Sequence, residues 1–254
     1  MTLFGLGFGV LAGFIFPPSP QASPEAIAHM YAAKRTEIRF GLLISMVAAG
    51  LLVPWSAGLF IPLRRIEGRF SPWPYVVMLS GTLFSLEFLY LLFFWLVCAY
   101  REDAAAEFVR NLNDMGWVAF VGLVSTAVIF AAGIGISTLS DRRSEPLLPR
   151  WFGYFSLWAA LMFTPGSANV FFKDGPLAYN GIFAWYIPVA VFGIWVPVVT
   201  VVMLKSVTRQ EREWNAAPPP KGAGGGPLEV EDLAAQLADV RRELAELRPA
   251  ATSR

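Results

Sequence analysis

Residues 75–100 read YVVMLSGTLFSLEFLYLLFFWLVCAY, an unbroken apolar run whose one charged residue is Glu87. A helix rises about 1.5 Å per residue. The roughly 30 Å hydrocarbon core of a bilayer takes about 20 residues to cross. This run is therefore long enough for one membrane helix. The pattern recurs at about 40–63, 115–139, 151–172 and 177–204, with the third run placed at 74–100. A shorter, Gly-rich version opens the chain at Met1–Phe16, MTLFGLGFGVLAGFIF. It lacks the basic start and the A-x-A-like exit of a cleaved leader, and reads as a span. The expected fold is all-α: a polytopic transmembrane helix bundle of six spans, or five if Met1–Phe16 does not cross, with a C-terminal cytoplasmic coiled-coil helix.

Composition agrees. The 254 residues are 56% hydrophobic and 15% charged, with a mean hydropathy of +0.52. Soluble domains usually carry about 25% charged residues. The net charge of +1 supplies no large basic surface, which excludes nucleic acid as a partner. One cysteine, Cys98, forms no intramolecular disulfide. With His29 as the lone histidine, the chain lacks the ligand set of a haem, copper or zinc site, so no metal and no cofactor is expected. GxSxG, Walker, GxGxxG and HExxH patterns are absent.

Basic residues orient the spans. Arg64, Arg65 and Arg69 follow the second run; Arg142, Arg143 and Arg150 separate the fourth and fifth; Lys205, Arg209 and Arg212 follow the last. Alternating spans put all three clusters on one side, the cytoplasmic one, with both termini inside. Lys34, Arg35 and Arg39 weaken that asymmetry. Ser23-Pro24-Glu25 has the chemistry of a helix start, leading into a helix that continues toward the second span. Residues 103–115 place Phe108, Leu112 and Met115 on one face, as in a helix lying along the membrane surface. Trp55, Trp73, Trp117, Trp151 and Trp185 fall near run ends, as interfacial anchors do.

Near Trp214 the character changes. Residues 1–214 read as the bundle, 215–227 as a Pro/Gly linker and 228–248 as a short coiled-coil helix. In the last, Val230, Leu233, Leu237, Val240, Leu244 and Leu247 alternate at spacings of three and four, an a/d seam for a homo-oligomer or a helical cytoplasmic partner. The plain alternative is a lone amphipathic helix.

Glu87 is the leading chemical candidate. An acid at bilayer depth costs at least about 2.5–3.5 kcal/mol and normally faces the bundle interior. Ser80, Leu83, Tyr90, Leu91 and Phe94 share its face at helical spacing. Ser80 and Tyr90 are candidate hydrogen-bond partners, with Tyr90 beside Glu87 in any catalytic pair. The competing reading is an interhelical hydrogen bond that only fixes packing. The second candidate is FTPGSANVFF, 163–172, where Pro165 and Gly166 loosen the helix beside Ser167 and Asn169. Broken helices line sites in many membrane proteins, and elsewhere mark only an early helix end. Asn111, Asn113, Asp114 and Trp117 either cap and solvate a loop or rim an outer pocket with Tyr179 and Asn180; the loop-solvating reading is favoured.

The segments GFIFPPSPQASPEAIAHMYAAKRTEIRFG, RNLNDMGWVAFVGLVSTAV and GPLAYNGIFAWYIPVAVFGIW resemble a family of actinobacterial multi-pass membrane proteins over about residues 1–204. The resemblance implies a bacterial inner-membrane setting and nothing about activity. Three functions follow, in order. The first is a non-catalytic oligomeric or accessory component of a membrane assembly, acting through the coiled coil. The second is a membrane-embedded enzyme on an isoprenoid or lipid substrate, with Glu87 as its acid. The third is a small-molecule transporter or channel.

Overall fold

The computed structural model describes residues 2–67 and 71–216, with Leu237, Ala238 and Arg241. The described residues form helices joined by short loops, without strands. This follows from the solvent: hydrocarbon offers backbone N–H and C=O groups no partner, and a helix satisfies them within one segment. Four helices, Arg35–Glu67, Trp73–Tyr100, Ala106–Ser140 and Ile182–Ala216, are long and apolar enough to cross a membrane.

The chain opens with α1 (Thr2–Leu11), widened from Gly5 onward so that Ala12 N–H reaches the Gly7 carbonyl (2.9 Å). Gly13, at φ +73°, turns the chain out of it. Helix α2 (Pro24–Ala33) starts as its residues require: Pro24 fills the first position and the Ser23 hydroxyl accepts the Ala26 N–H (3.2 Å). A kink at Lys34 separates it from α3 (Arg35–Gly50), which continues past Leu51 as α4 (Leu52–Glu67). Then come α5 (Trp73–Tyr100), α6 (Ala106–Gly122), α7 (Ser125–Ser140) and α8 (Arg150–Phe163). A 3-10 stretch (Thr164–Phe171) ends α8, and a wide turn (Ile182–Tyr186) leads into α9 (Ile187–Ala216).

Up to Thr208 the chain packs as one unit. Helix α5 is its axis, against α3, α4, α6 and α7. Its core is split along α5. Val77, Phe84 and Phe88 join a cluster with Leu63, Phe130, Phe152 and Trp195. Leu92, Trp95 and Cys98 join another with Phe8, Tyr31, Trp117 and Trp185. Between apolar helices in lipid the hydrophobic effect adds little, and close packing at small residues holds them. A Cβ at Gly135 of α7 would lie 2.9 Å from the Gly153 carbonyl of α8. A Cβ at Gly41 of α3 would strike the Gly7 carbonyl and the Ala12 amide of the α1 segment.

The polar contacts of charged side chains gather at two ends of this unit. At one, the Arg143 guanidinium donates to the Arg65 carbonyl, Ser140 donates to Glu67 (3.2 Å), and buried Asp141 accepts the Leu147 and Arg143 amides at 2.9 and 3.2 Å. At the other, Arg39 donates to the Ala99 and Tyr100 carbonyls that end α5 (2.9 Å each), and Arg35 pairs with Glu102 (2.7 Å). Of the cations that weaken the sequence asymmetry, Arg39 is thus held by the last carbonyls of α5, which lack helical partners, and Arg35 by the carboxylate just beyond them.

The second unit begins at Arg209. There α9 continues to Ala216, with Arg209 donating to Glu213 one turn on (2.9 Å) and Trp214 exposed. The linker beyond Ala216 and the seam positions Val230, Leu233, Val240, Leu244 and Leu247 lie outside the described residues. Leu237 is helical and exposed.

Several sequence readings change. Residues 103–115 do not form a separate surface helix: α6 runs without interruption from Ala106 to Gly122. No proline or glycine interrupts that stretch, and one of its polar residues, Asn113, is fully buried rather than facing water. Phe108 and Met115 form the exposed edge. Trp117 and Trp185 are core residues, 0% and 4% exposed, whereas Trp151 is exposed. The Met1–Phe16 run yields the ten-residue helix Thr2–Leu11, and 151–172 yields α8 plus the 3-10 stretch.

Candidate functional site

Helices α6 and α7 are one apolar rod interrupted at the depth of Glu87. Leu123 leaves helical geometry (φ −78°, ψ 62°) after its N–H closes α6 on the Ala119 carbonyl (2.9 Å). Val124 N–H turns back to the Gly122 carbonyl (2.9 Å), and α7 restarts at Ser125. The second residue of α7 is Thr126. Its hydroxyl donates to Glu87 Oε2 at 2.5 Å. The break therefore delivers a donor to the acid from a neighbouring element, as non-helical backbone at membrane depth does where it lines protein rather than lipid.

Glu87 is half-buried and lines a cleft of about 440 Å³ between α1, α5, the α6–α7 break and α9. The wall is mostly aromatic, with Phe8, Phe88, Phe120, Phe163, Trp185 and Phe192 among its residues, and Glu87 is its one charged member. Phe4, Phe88 and Phe192 also line a second cleft of about 410 Å³ bordered by Trp55 and Thr200, and so separate the two. Helix α9 reaches the core here through large side chains: Phe192 lies on Phe88 with centroids 6.1 Å apart, and Trp195 donates to Ser156 (3.3 Å). Gly193 has open space where a side chain would stand.

Glu87 is joined by a partner that spacing does not reveal, and the residues chosen for its face are not its partners. Ser80 is buried but its hydroxyl donates to the Val76 carbonyl of its own helix (2.6 Å). A serine mid-helix has that acceptor always in reach. Tyr90 is 63% exposed and points away from the cleft, edge to face with Phe94 (5.3 Å). Neither Tyr90 nor Phe94 lines the cleft, and Leu83 is exposed on the outer surface. Ser167 donates to the Thr164 carbonyl (2.8 Å) in the 3-10 stretch. Asn169 is buried and braces α6, its Nδ2 donating to the Val118 carbonyl (3.2 Å), while a Cβ at Gly166 would strike the Val121 carbonyl. The 164–169 segment is thus a buttress for the broken end of α6, and the cleft lies beyond it.

A second polar group lies at the Arg39 end. Tyr31 of α2, 1% exposed, donates to Asn113 Oδ1 of α6 (3.0 Å). Cys98 donates to the Val109 carbonyl (3.4 Å) and lies against the Tyr31 hydroxyl. Tyr179, 3% exposed, stacks on Trp117 (6.0 Å, 16°). Asn113, Trp117 and Tyr179 therefore neither solvate a loop nor rim an open pocket: they are interior, and Asn111 alone of the set is exposed. The sequence signal missed was a tyrosine buried 82 residues away from its asparagine.

This network has a pH signature. Burial first, then the nearby Cys98 thiol, holds the Tyr31 hydroxyl protonated well above the usual tyrosine value of about 10. Burial and then the Asp114 carboxylate do the same for Tyr179. The folded chain keeps protons that the unfolded chain releases, so this stabilisation is complete below pH about 10 and is lost as pH rises through the folded values. Thermal melts in detergent should fall as pH is raised from about 9 to about 11. Tyr31→Phe has no proton to lose and should show a smaller fall. It starts lower by about 1–3 kcal/mol, because Asn113 Oδ1 loses its buried donor. An equal alkaline fall in both proteins would remove Tyr31 as the cause.

Among the described residues no group of His, Cys, Asp or Glu is placed to hold a metal ion. Compared with protein families, with curated proteins and with solved structures, the chain matches none.

Proposed function

We propose that this protein is a membrane-embedded binding protein for a lipophilic small molecule, held in the aromatic cleft beside Glu87. One observation carries the reading: an acid, costly at bilayer depth, stands on the wall of a 440 Å³ apolar cleft beside a helix break that supplies its hydrogen bond. Ligand sites are typically apolar, with a few placed polar groups. If the acid served packing alone, no cleft would be needed beside it.

Arg150–Phe171 spans about 37 Å, from fourteen α residues at about 1.5 Å and eight 3-10 residues at about 2.0 Å, and so is long enough to cross. With the four long helices this makes five complete crossings. Helix α1, at about 15 Å, covers half the hydrocarbon thickness. The end carrying Arg64, Arg65, Arg143 and Arg150 is taken as cytoplasmic, which puts the C-terminal chain inside. The resemblance to actinobacterial membrane proteins fits a bacterial inner membrane. Self-association or a helical partner through 228–248 stays a separate proposal, carried by the heptad spacing alone.

The test is native mass spectrometry of the full chain, released from its own membranes in mild detergent. A lipophilic adduct is expected on the wild type, reduced in Glu87→Gln. Identical adduct patterns in the two proteins would count against the reading.

A further inference from the structure

We infer that the cleft takes a lipophilic cation, a molecule whose ammonium- or phosphonium-type charge sits among apolar groups, with Glu87 as its counter-ion. The inference rests on the lipophilic-ligand reading above and names the ligand's charge.

Charge complementarity carries it. The ion pairs of the described bundle lie at its two ends: Arg35–Glu102, Arg110–Glu107 and Arg143–Asp141. Among the described residues no Lys, Arg or His pairs with Glu87, whose one hydrogen bond is a neutral hydroxyl on Oε2. Among the described residues no donor reaches Oε1, and Glu87 lines the cleft. The protein thus places an acid in an apolar wall and supplies no cation for it. A charge in an apolar wall is stabilised by pairing, and a cationic ligand would supply the partner that the described residues do not.

The remaining wall selects the same sign. Aromatic rings present a negative face, and cations are drawn to it most strongly where water is excluded. Phe88, Phe120, Trp185 and Phe192 line the cleft with Glu87 from four different elements: α5, α6, the wide turn and α9. A neutral acyl chain would fill the volume and leave the acid unpaired. An isoprenoid phosphate would set its charge against both the carboxylate and the ring faces. Only a cation uses every feature of the wall.

The experiment uses the full chain in nanodiscs of zwitterionic lipid, with empty nanodiscs as baseline. Tetraphenylphosphonium is titrated while tryptophan emission is followed, and triphenylphosphine oxide serves as the uncharged comparator. Saturable phosphonium binding is expected, weakened at least about tenfold in Glu87→Gln and less in Glu87→Asp, with the comparator unaffected by either change. In the wild type, phosphonium should also slow labelling of Glu87 by dicyclohexylcarbodiimide, read as adduct mass on its peptide. That measurement needs no variant to fold. Equal phosphonium affinity in wild type and Glu87→Gln, or no protection from the carbodiimide, overturns the inference. Saturable binding of the comparator without the cation overturns it and leaves the lipophilic-ligand reading standing. Binding of neither overturns both.

Discussion

Gly41→Val should separate α1 from α3 and cost the protein its cleft. The added Cβ would strike the Gly7 carbonyl and the Ala12 amide, both backbone atoms with no rotamer by which to yield. Gly7 faces the same constraint in return, since its Cβ would meet the Gly41 carbonyl and the Ser45 hydroxyl. Overpacking of this kind typically costs about 1–3 kcal/mol, and more where backbone must move. Because Phe4 and Phe8 of α1 form part of the cleft wall, the loss should appear twice. The melting temperature in detergent should drop, and binding of a lipophilic probe should fail at temperatures where the remaining helices are still folded by circular dichroism. Gly50→Val is the control: it lies on the same helix with open space around it and should change neither. Equal behaviour of the two variants would show that the α1–α3 contact is not a structural hinge of the site.

Gly193→Trp should block the cleft from its α9 side without disturbing the fold. Gly193 is exposed, helical and lines the cleft, and a Cβ there meets nothing within 4 Å. A glycine inside a helix is destabilising by roughly 0.5–1 kcal/mol relative to alanine, so the backbone gains from the change. The indole should then occupy volume that a ligand needs. Expected are an unchanged or slightly higher melting temperature and at least about a tenfold loss of probe affinity, roughly 1.4 kcal/mol. Unaltered affinity would place the bound molecule elsewhere, with the 410 Å³ cleft beside Trp55 as the next candidate.

The first prediction depends on a contact between distant segments and the second on space left between them, and spacing along the chain exposes neither. Glu87 itself was legible: one charge in a 26-residue apolar run needs no fold to be noticed. Its partner was not, because Thr126 lies 39 residues away and meets it through a helix break that no proline marks. Ser80 and Phe94 shared the helical face of Glu87 by periodicity. In a membrane bundle, however, which parts of a face are interior depends on where the neighbours stand along its length. The serine turns to its own helix, and the ring lies beyond the cleft.

The amino-acid sequence by itself determined the class of fold, the apolar rods and the charge at their ends. Those follow from the bilayer, which acts on every residue according to its own hydrophobicity and requires helices wherever the backbone is in lipid. It also determined local devices such as the Ser23 cap, whose partner is three residues away. The tertiary structure decided which polar residues are interior, which glycines are contacts and where space is left over. Tyr31–Asn113, Gly7–Gly41 and Glu87–Thr126 each join distant segments. Lipid is as apolar as the side chains that face it, so hydrophobicity cannot distinguish a lipid-facing leucine from a buried one, or a packed seam from a cleft.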